Sequence, residues 1–427
     1  MEGMHVNRII FHIDVNSAFL SWSAVDRLAH GETLDIRTVP AIIGGDSSTR
    51  HGIVLAKSVP AKAFHITTGE PVAQALRKCP TLLMVAPNHD LYKQRSHDLM
   101  ALLHTYTDDI EQLSIDECFL DFTPIARQFD SPTAAAAIIK ERIKQELGFT
   151  VNVGIAPNKL LAKMASDFTK PDRIHTLFPE EIATKMWSLP VDELYMVGRS
   201  SANRLKSLGI RTIGELAATD LSYLTQEFKS HGKLMWEYAN GIADDKVCSV
   251  SPEAKGIGNS TTLSEDITSE EAANKVLLRL AESVATRLRK SEMLAQSITV
   301  EIKYSDFTSC SHQTPLYSAT NTTQQIYDTA CLLFSQLWNG APLRLLGIRS
   351  TRLLSSNDPI QLSIFDMAKA TAAHHISSAA PATKTLHDSS STPSADKLRQ
   401  LDAAVDSIRN RYGDSSVVRG SSLNKQK

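Results

Sequence analysis

The sequence is poor in cysteine and lacks any long apolar run. Its 427 residues include five cysteines, and no two of them are spaced as Cys-x-x-Cys. This pattern argues against a disulfide framework or a zinc knuckle and favours a reducing compartment, so we expect a cytoplasmic protein. No apolar stretch reaches the ~18–20 residues of a membrane span, and no signal peptide is recognisable, so we expect no membrane partner.

The sequence also lacks a charge imbalance. It holds 45 Lys and Arg against 47 Asp and Glu, which gives a formal net charge of −2. A globally basic nucleic-acid binder is therefore excluded, but a local basic groove is not, because a polyanion meets only one face of a protein. The length predicts two to four globular domains, since domains usually have about 100–200 residues.

Strand and helix patterns alternate over roughly the first 178 residues, which predicts a layered α/β or α+β domain. The apolar run at 8–13 (RIIFHI) is typical of a buried strand, and it ends at Asp14. The segment 112–122 (QLSIDECFLDF) is interpreted as one arm of a hairpin. The segment 150–155 (TVNVGI) alternates polar and apolar residues and predicts a further strand.

The character of the sequence changes near Pro179. Short helices broken by glycines are predicted up to about residue 240, and a polar stretch over 244–257 is interpreted as a linker. A second α/β region follows over 258–354. Beyond it, clusters of Ser, Thr, Ala and His predict disorder, apart from one helix over Asp396 to Tyr412.

The first candidate for chemistry is a set of carboxylates. Asp14 ends a strand, while Asp116 and Glu117 lie within an otherwise apolar run. Two adjacent acids in such a run are costly unless a cation compensates them, and Mg²⁺ accepts carboxylate and phosphate oxygens. If the two strands are neighbours, the three acids converge as two-metal phosphoryl transfer requires. Taken alone, the spacing favours a plainer interpretation, in which Asp116 caps a turn and Glu117 is solvated.

Other candidates lie near these acids in the sequence. Lys159 opens a helix after a strand, a place that suits an anion, and Lys57 and Lys62 follow a strand predicted at 52–56 (GIVLA). Each lysine taken singly is more simply a solvated side chain. Phe19, on the helix after Asp14, is either a core residue or the wall of a nucleotide pocket, and nothing local decides between these.

Two further motifs point to macromolecular partners. The segment 196–210, which contains Val197, Gly198, Arg199 and Gly209, resembles a helix–hairpin–helix, whose turn amides face a nucleic-acid phosphate. An ordinary helix pair with a glycine C-cap fits the segment equally well. The apolar segment 361–365 (QLSIF) lies in a polar tail, and docking into a partner groove is favoured over packing back as a strand.

Together these motifs resemble Y-family DNA polymerases of the bacterial DNA polymerase IV type. The resemblance covers about residues 10–354. Three segments carry it: 14–19 (DVNSAF), 114–117 (SIDE) and 153–167 (VGIAPNKLLAKMASD) followed by Lys170-Pro171. The segment that contains Gln361, Leu362, Ile364 and Phe365 resembles the peptide that binds the bacterial sliding clamp. The order and spacing of the motifs reverse the preference stated above for Asp116 and Glu117.

The resemblance implies an α+β fold, a right-hand polymerase with palm, small fingers, helix–hairpin–helix thumb and a separate α/β little-finger domain. The implied domains follow the chain in a fixed order. They are the palm at 1–25 and 85–178, the fingers at 26–84, the thumb at 179–243, the linker at 244–257, the little finger at 258–355 and a flexible tail at 356–427 that contains the clamp-binding peptide 361–365.

The resemblance also implies roles for single residues. Asp14, Asp116 and Glu117, with the carbonyl of Val15, are expected to bind two Mg²⁺ ions. Phe19 is expected to be the steric gate that rejects a ribose 2′-OH. Lys159 is expected to contact the incoming triphosphate. Residues Val197, Gly198, Arg199 and Gly209 are expected to contact DNA.

Departures from the family pattern occur in the fingers. Val59 and Lys62 stand where a Tyr and an Arg usually contact the triphosphate. Lys62 keeps the charge but loses the bidentate guanidinium. Val59 has no side-chain hydrogen bond to offer, so either Ser58 or Lys57 substitutes for the missing tyrosine hydroxyl or the affinity for the nucleotide is lower. Asn16 stands where an Asp is common, although that residue is not usually a metal ligand. The metal-binding acids are intact, which argues against a dead enzyme.

The activity expected from this resemblance is low-fidelity translesion synthesis without proofreading, in DNA repair and damage tolerance. The expected partners are primer–template DNA, dNTPs and a sliding clamp, and the expected state is a monomer. One alternative is a catalytically weak accessory factor that binds DNA and the clamp. Another is a nucleotidyl cyclase on a palm-like sheet, which leaves the helix–hairpin–helix and the clamp-type peptide unexplained.

Overall fold

The computed structural model describes residues 8–45, 52–250, 253–357, 395–413 and 416–417. The chain divides into two compact units, Met1–Pro252 and Glu253–Lys427. Among the helices within the described ranges, none is both long enough and apolar enough to cross a membrane. The peptide 361–365 and the rest of 358–394 lie outside these ranges.

The first unit alternates strands and helices as the sequence predicted. Its 3-10 and π-helical turns cover Thr123–Gln128, Pro179–Glu181, Ile182–Met186 and Val191–Glu193. Its strands and α-helices in chain order are β1 (Ile10–Val15), α1 (Ala18–Ala29), β2 (Ala41–Gly44), β3 (Val54–Lys57), α2 (Val59–Lys62), α3 (Val72–Lys78), β4 (Leu83–Val85), α4 (His89–His104), β5 (Ile110–Gln112), β6 (Glu117–Asp121), α5 (Pro132–Leu147), β7 (Val151–Ala156), α6 (Lys159–Asp167), β8 (Ile174–Thr176), α7 (Arg199–Ser207), α8 (Ile213–Ala218), α9 (Leu221–Phe228) and α10 (Ser230–Ala239).

A five-stranded sheet in the order β5-β6-β1-β7-β8 forms the centre of this unit. β1 pairs antiparallel with both β6 and β7, and every residue of β1 and β7 is buried. The apolar run of β1 fits a strand that is covered on both faces. The smaller sheet β3-β2-β4 has its own apolar cluster, and helices α7 to α10 share a third cluster with α6.

The predicted hairpin arm over 112–122 is wrong in one respect, which matters for the acids. The strand is interrupted, because β5 ends at Gln112 and β6 begins at Glu117. The amides of Leu113 and Ser114 both donate to the carbonyl of Glu117, which closes a tight turn. Asp116 therefore lies in this turn and not in the middle of a strand.

The predicted strand over 150–155 forms as β7, and Asn152, the second residue of this strand, is a fully buried polar side chain. Its side-chain Nδ2 donates to the carbonyls of Ser166 (3.0 Å) and Thr169 (2.8 Å). Its Oδ1 accepts from Asn16 Nδ2 (3.1 Å) and from the amide of Arg173 (3.1 Å). All four hydrogen-bonding positions of the amide are filled, so burial of this polar side chain leaves no group unsatisfied.

The second unit is an antiparallel sheet in the order β11-β10-β12-β9, with two helices on one face. Its core is formed by residues of the helices and of the central strands. The elements in chain order are β9 (Gly256–Ile267), α11 (Glu270–Lys290), β10 (Met293–Tyr304), β11 (Ser309–Thr320), α12 (Thr323–Leu337), β12 (Leu343–Ser355) and α13 (Ala395–Tyr412).

The edge strands β9 and β11 were not predicted, and β9 begins inside the predicted linker 244–257. Leu263 is the one residue of β9 that is buried, and most of β11 is exposed. Both sequences are polar, because an edge strand with one solvated face needs few apolar residues. Their pairing with β12 and β10 therefore leaves little signal in the hydrophobic pattern.

Helix α13 matches the predicted helix over Asp396 to Tyr412, but it is docked and not part of a flexible tail. Arg289 of α11 makes a bidentate pair with Asp406, at 2.6 Å and 3.0 Å, and contacts Asp402 at 3.2 Å. Asp402 also accepts from the amide of Thr323 (2.8 Å), at the start of α12. Since Asp402 is only 4% exposed, its contacts tie α13 to both helices of the unit.

We predict that Gly154→Ala destabilises the first unit by about 3 kcal/mol, the upper part of the usual range for overpacking. A Cβ at Gly154 would lie 2.0 Å from the carbonyl oxygen of Ala162 and 2.6 Å from the amide nitrogen of Ser166. Both are backbone atoms of α6, so the helix itself must shift. Denaturant unfolding of the purified variants measures the change.

The matched control is Gly198→Ala, because a Cβ there meets nothing within 4 Å. Its expected cost is below about 1 kcal/mol. Equal unfolding free energies for the two variants would contradict the close approach of α6 to β7.

Candidate active site

Three carboxylates meet at one end of the central sheet, as the sequence predicted for neighbouring strands. Asp14 lies directly opposite Glu117 in the antiparallel pairing of β1 with β6. Asp116 precedes β6 in the turn, and its carbonyl accepts from the amide of Val15 (3.0 Å). The acids are held by main-chain pairing, so their approach does not depend on flexible loops.

Two lysines neutralise two of these acids. Lys163 Nζ lies 2.5 Å from Glu117 Oε2, and Lys170 Nζ pairs with Asp14 Oδ2 and, at 2.8 Å, with Asp167. Asp14 is only 8% exposed, so its charge would be costly without the ammonium group. Each of these lysines brings a positive charge to the point where β1 ends and β6 begins.

The protonation of Glu117 follows from this surrounding. Burial alone would raise the pKa of Glu117, but the nearby His12 ring and the Lys163 ammonium outweigh it and lower that pKa to about 2. His12 is fully buried, with Nδ1 2.8 Å from Ser166 Oγ and Nε2 3.3 Å from Glu117 Oε2. Burial lowers the pKa of His12, so a neutral ring faces an ionised carboxylate.

Asp116 differs from the other two acids. Burial raises the pKa of Asp116, and the charges of Asp14 and Glu117 raise it further, while a hydrogen bond from the Ser114 hydroxyl (2.7 Å) opposes them. Within the described ranges Asp116 forms no ion pair. This site therefore has one carboxylate whose charge lacks a cation.

In this arrangement the acids do not form a ready metal cage. Among the residues that the structure describes, no group of three or more His, Cys, Asp or Glu side chains is placed to hold a metal ion. The ammonium groups of Lys163 and Lys170 occupy oxygens that a metal would need. Any cation that binds here must displace or rearrange them.

A cavity of about 270 Å³, here called the finger–palm cavity, opens beside Asp116. It brings together Val15, Phe19, Lys57 and Lys62 with this acid. The half-buried Phe19 ring stacks on Tyr92, with ring centroids 4.3 Å apart and planes 7° apart. Phe19 therefore both lines the cavity and packs against Tyr92, so the two interpretations from the sequence are compatible.

Two lysines, Lys57 and Lys62, give this cavity a local positive charge. Burial lowers the pKa of Lys57, and the neighbouring charge of Lys62 lowers it further. Two neighbouring lysines favour an anion beside them, because the anion compensates their charges.

Two predicted nucleotide contacts are not brought to this cavity. Ser58 Oγ donates to the Val39 carbonyl (2.7 Å) and accepts from the amides of Ala41 (3.0 Å) and Ala61 (3.1 Å). One donor and two lone pairs are thereby used, so this hydroxyl cannot replace a tyrosine on a triphosphate. Val59 is 52% exposed and offers no polar group.

Lys159 is the second residue placed elsewhere. It opens α6, but its Nζ lies 3.0 Å from Glu111 Oε2 on β5. Glu111 also accepts from the amide of Cys248 (2.8 Å), so the pair ties the segment after α10 to the sheet edge. Lys163 and Lys170, which sequence reasoning left without a role, are the lysines that reach the acids.

Asn16 explains how Lys170 is positioned. Its Oδ1 accepts from the Asp172 amide (2.9 Å) and from Thr150 Oγ1 (2.9 Å), and its Nδ2 donates to Asn152. An aspartate at this position could not make the last of these bonds, because an ionised carboxylate donates nothing. The segment that carries Lys170 is thus fixed to β1 and β7 by amides.

The predicted helix–hairpin–helix segment does form two helices. Gly198 precedes α7, and Gly209 follows it with a left-handed backbone (φ 87°) before α8 begins. Val197 is buried, while Gly198 and Arg199 are exposed. This geometry agrees with a nucleic-acid hairpin and equally with a glycine that ends an ordinary helix.

Comparison with known proteins gives the family. A family model described as the impB/mucB/samB family matches residues 13–167, and a model described as its C-terminal domain matches residues 254–364. DNA polymerase IV of Clostridium acetobutylicum is 46% identical over 421 residues, covering 99% of this chain and 100% of that protein. DNA polymerase IV 1 of Bacillus subtilis is 38% identical over 369 residues, covering 84% and 86%.

A solved Y-family DNA polymerase chimera shares the fold, with a TM-score of 0.72 over 81% of this chain and 99% of that chain at 23% identity. This likeness confirms the expected α+β right-hand polymerase fold with a separate C-terminal sheet domain. The chain belongs to the Y-family of DNA polymerases, in the group whose members are named DNA polymerase IV, and its enzyme class is that of a DNA-directed DNA polymerase.

Proposed function

We propose that the protein adds dNTPs to a primer 3′-OH on a DNA template, as a low-fidelity translesion polymerase without proofreading, in DNA repair and damage tolerance. The observation that carries this proposal is the convergence of Asp14, Asp116 and Glu117 beside the finger–palm cavity. The full-length similarity to proteins named DNA polymerase IV supports it. We further propose that it acts as a cytoplasmic monomer.

The ligand types in this set suit divalent cations, provided that the ammonium groups of Lys163 and Lys170 give up their places on the acids. Carboxylates are the ligands that Mg²⁺ prefers, and Asp116 is a half-buried carboxylate without a cation partner. Asp14, Asp116, Glu117 and the Val15 carbonyl would hold the ions, which supply charge neutralisation at the reacting phosphate and a more acidic primer hydroxyl. Lys163 and Lys170 would compensate the charges of Glu117 and Asp14 before the ions bind.

The protein's own part in the reaction is positioning. Lys57 and Lys62 face the cavity from the fingers side and would bind the phosphates of the nucleotide. Lys170 pairs with Asp14 and would contact the same phosphates if a divalent ion displaced it from that acid. Phe19, held by its stack on Tyr92, would meet the sugar and exclude a 2′-OH.

The thumb segment is proposed to contact DNA without reading sequence. The exposed backbone at Gly198 and Gly209 and the Arg199 side chain would meet phosphates. Because Val197 is buried, its side chain anchors the turn to the thumb core and only its backbone is available.

The acids are tested by primer extension with Mg²⁺. We expect the Asp116→Ala/Glu117→Ala variant to lose about 10³-fold or more in kcat, because the transition-state charge loses its compensation. The native chain should add dNTPs and refuse rNTPs, and Phe19→Ala should add both. Thermal unfolding of each variant shows whether a loss of activity reflects a loss of stability.

Absence of extension by the native chain, despite tight primer–template binding, would contradict the proposal and favour the DNA- and clamp-binding accessory factor. Absence of binding as well would favour another two-metal enzyme on this sheet.

Variants of Lys170 and Lys159 distinguish the nucleotide contact inferred from the structure from the one inferred from the sequence. We expect Lys170→Ala to raise the KM for dNTP about tenfold, the effect of losing one charged contact of about 1.4 kcal/mol. Lys159→Ala should change the KM less than twofold, because Lys159 pairs with Glu111 away from the cavity. Steady-state single-nucleotide insertion measures the KM of both variants. Lys170→Arg keeps the charge and should have a KM close to that of the native chain.

A reversed result, with the larger KM change in Lys159→Ala, would restore the sequence-based role of Lys159 and remove Lys170 from the nucleotide site.

The peptide 361–365 is proposed to bind a bacterial sliding clamp, and tethering would then raise the effective concentration of the enzyme on DNA. We expect Gln361→Ala/Phe365→Ala to shorten products by about tenfold when a clamp is loaded and to leave them unchanged without a clamp. Product lengths on a long primed template give the measurement. Equal lengths for both proteins in the presence of the clamp would show that this peptide does not tether the enzyme.

A further inference from the structure

The docking of α13 against α11 creates a groove on the second unit. Two adjoining stretches of it have volumes of about 380 and 550 Å³. Residues of α11 and residues of α13 form its sides. We call this the α11–α13 groove; the residues used below are Arg279, Arg287, Lys290, Asn410 and Arg411.

The groove carries positive charge that nothing in the described structure neutralises. Arg279, Arg287 and Lys290 are exposed on α11, and none of them forms an ion pair within the described ranges. The guanidinium of Arg287 donates only to neutral groups, the Gly258 carbonyl (3.2 Å) and Ser283 Oγ (3.3 Å). Arg411 extends the charge onto α13.

The acids that line the groove are already paired. Asp406 receives the bidentate guanidinium of Arg289, and Glu282 lies 3.2 Å from Arg409. Burial alone would raise the pKa of Asp406, but the Arg289 contact lowers it, so this acid is ionised and satisfied at neutral pH. The exposed cations are therefore left for an external anion.

The spacing of these cations suits a polyanion. Arg279 and Lys290 are eleven residues apart on one helix, which is about 17 Å at a rise of ~1.5 Å per residue. A nucleic-acid strand advances about 3.4 Å per phosphate along its axis, so the stripe spans several phosphates. A single small anion would leave most of these charges unused.

The groove is also continuous with the sheet. Arg287 lines both the groove and a polar cavity of about 710 Å³ on the second unit, where Arg349 and Gln313 of the sheet are exposed. A strand lying over this cavity could therefore pass along Arg287 into the groove without leaving the unit.

We propose that α13 completes, with α11, a second phosphate-binding groove that holds the backbone of duplex DNA. The inference rests on the proposed function, because it assumes that DNA is the polymer the protein meets. The groove adds sequence-independent affinity, which suits a chain whose net charge is only −2. It gives the C-terminal helix a function beyond the packing of the unit.

The test is duplex binding by the full chain, measured by fluorescence anisotropy over a range of salt concentrations. We expect Arg279→Ala/Lys290→Ala to weaken binding about tenfold. Its slope of log K against log salt should fall by about two, since each phosphate contact contributes ~0.9. Arg411→Ala should show a smaller change in the same direction.

The matched control is Lys93→Ala/Arg127→Ala, which removes the same charge from exposed positions of the first unit. It should bind within twofold of the native chain with an unchanged slope. Thermal unfolding of each variant confirms that these surface changes leave the fold intact.

Unchanged affinity and slope in the groove variant would overturn the inference and leave an acidic protein segment as the class of partner to seek. Primer extension by the same proteins keeps the two claims apart. Extension without any groove effect contradicts the groove alone, whereas absence of extension by the native chain contradicts the proposed function.

Discussion

The pairing of β1 with β6 places two carboxylates, Asp14 and Glu117, directly opposite each other. Several other elements of the first unit hold the lysines that compensate these charges. Opposite residues in an antiparallel pair lie about 5 Å apart. Two unit charges at that separation repel by about 3 kcal/mol at an effective dielectric of 20. Lys163 and Lys170 compensate this repulsion, and the segments that carry them are held close to the central sheet. The glycine at 154 lets α6 approach the sheet, and the amides of Asn16 and Asn152 hold the segment around Lys170.

The same arrangement links stability to the expected chemistry. An ammonium group and a divalent ion both compensate carboxylate charge, so we propose that metal ions would take the places of the two ammonium groups. Asp116 differs, because its pKa is raised and, within the described ranges, its carboxylate forms no ion pair. Asp116 also borders the finger–palm cavity, where Lys57 and Lys62 favour an anion. Acid, cavity and cations thus lie together as a phosphoryl-transfer site requires.

Sequence reasoning predicted the elements with strong patterns and the convergence of the acids. The apolar run of β1 is an example, since burial leaves a direct trace in hydrophobicity. It missed the edge strands β9 and β11, whose polar residues follow from solvent on one face. It assigned Ser58 and Lys159 to the nucleotide, because sequence position cannot reveal that a hydroxyl is used by three backbone groups or that a lysine pairs with Glu111. The signal for Lys163 was present, as a charged residue among the buried apolar residues of α6.

The claim that the lysine-neutralised acids are a two-metal site is tested most directly by counting bound ions. Electron paramagnetic resonance can follow a Mn²⁺ titration of the native chain with primer–template and a non-hydrolysable dNTP. The account predicts two tightly bound ions per chain, and none at these affinities in Asp14→Asn/Glu117→Gln. Retention of the same number of ions by that variant would contradict the account, because the metal would then lie elsewhere in the protein.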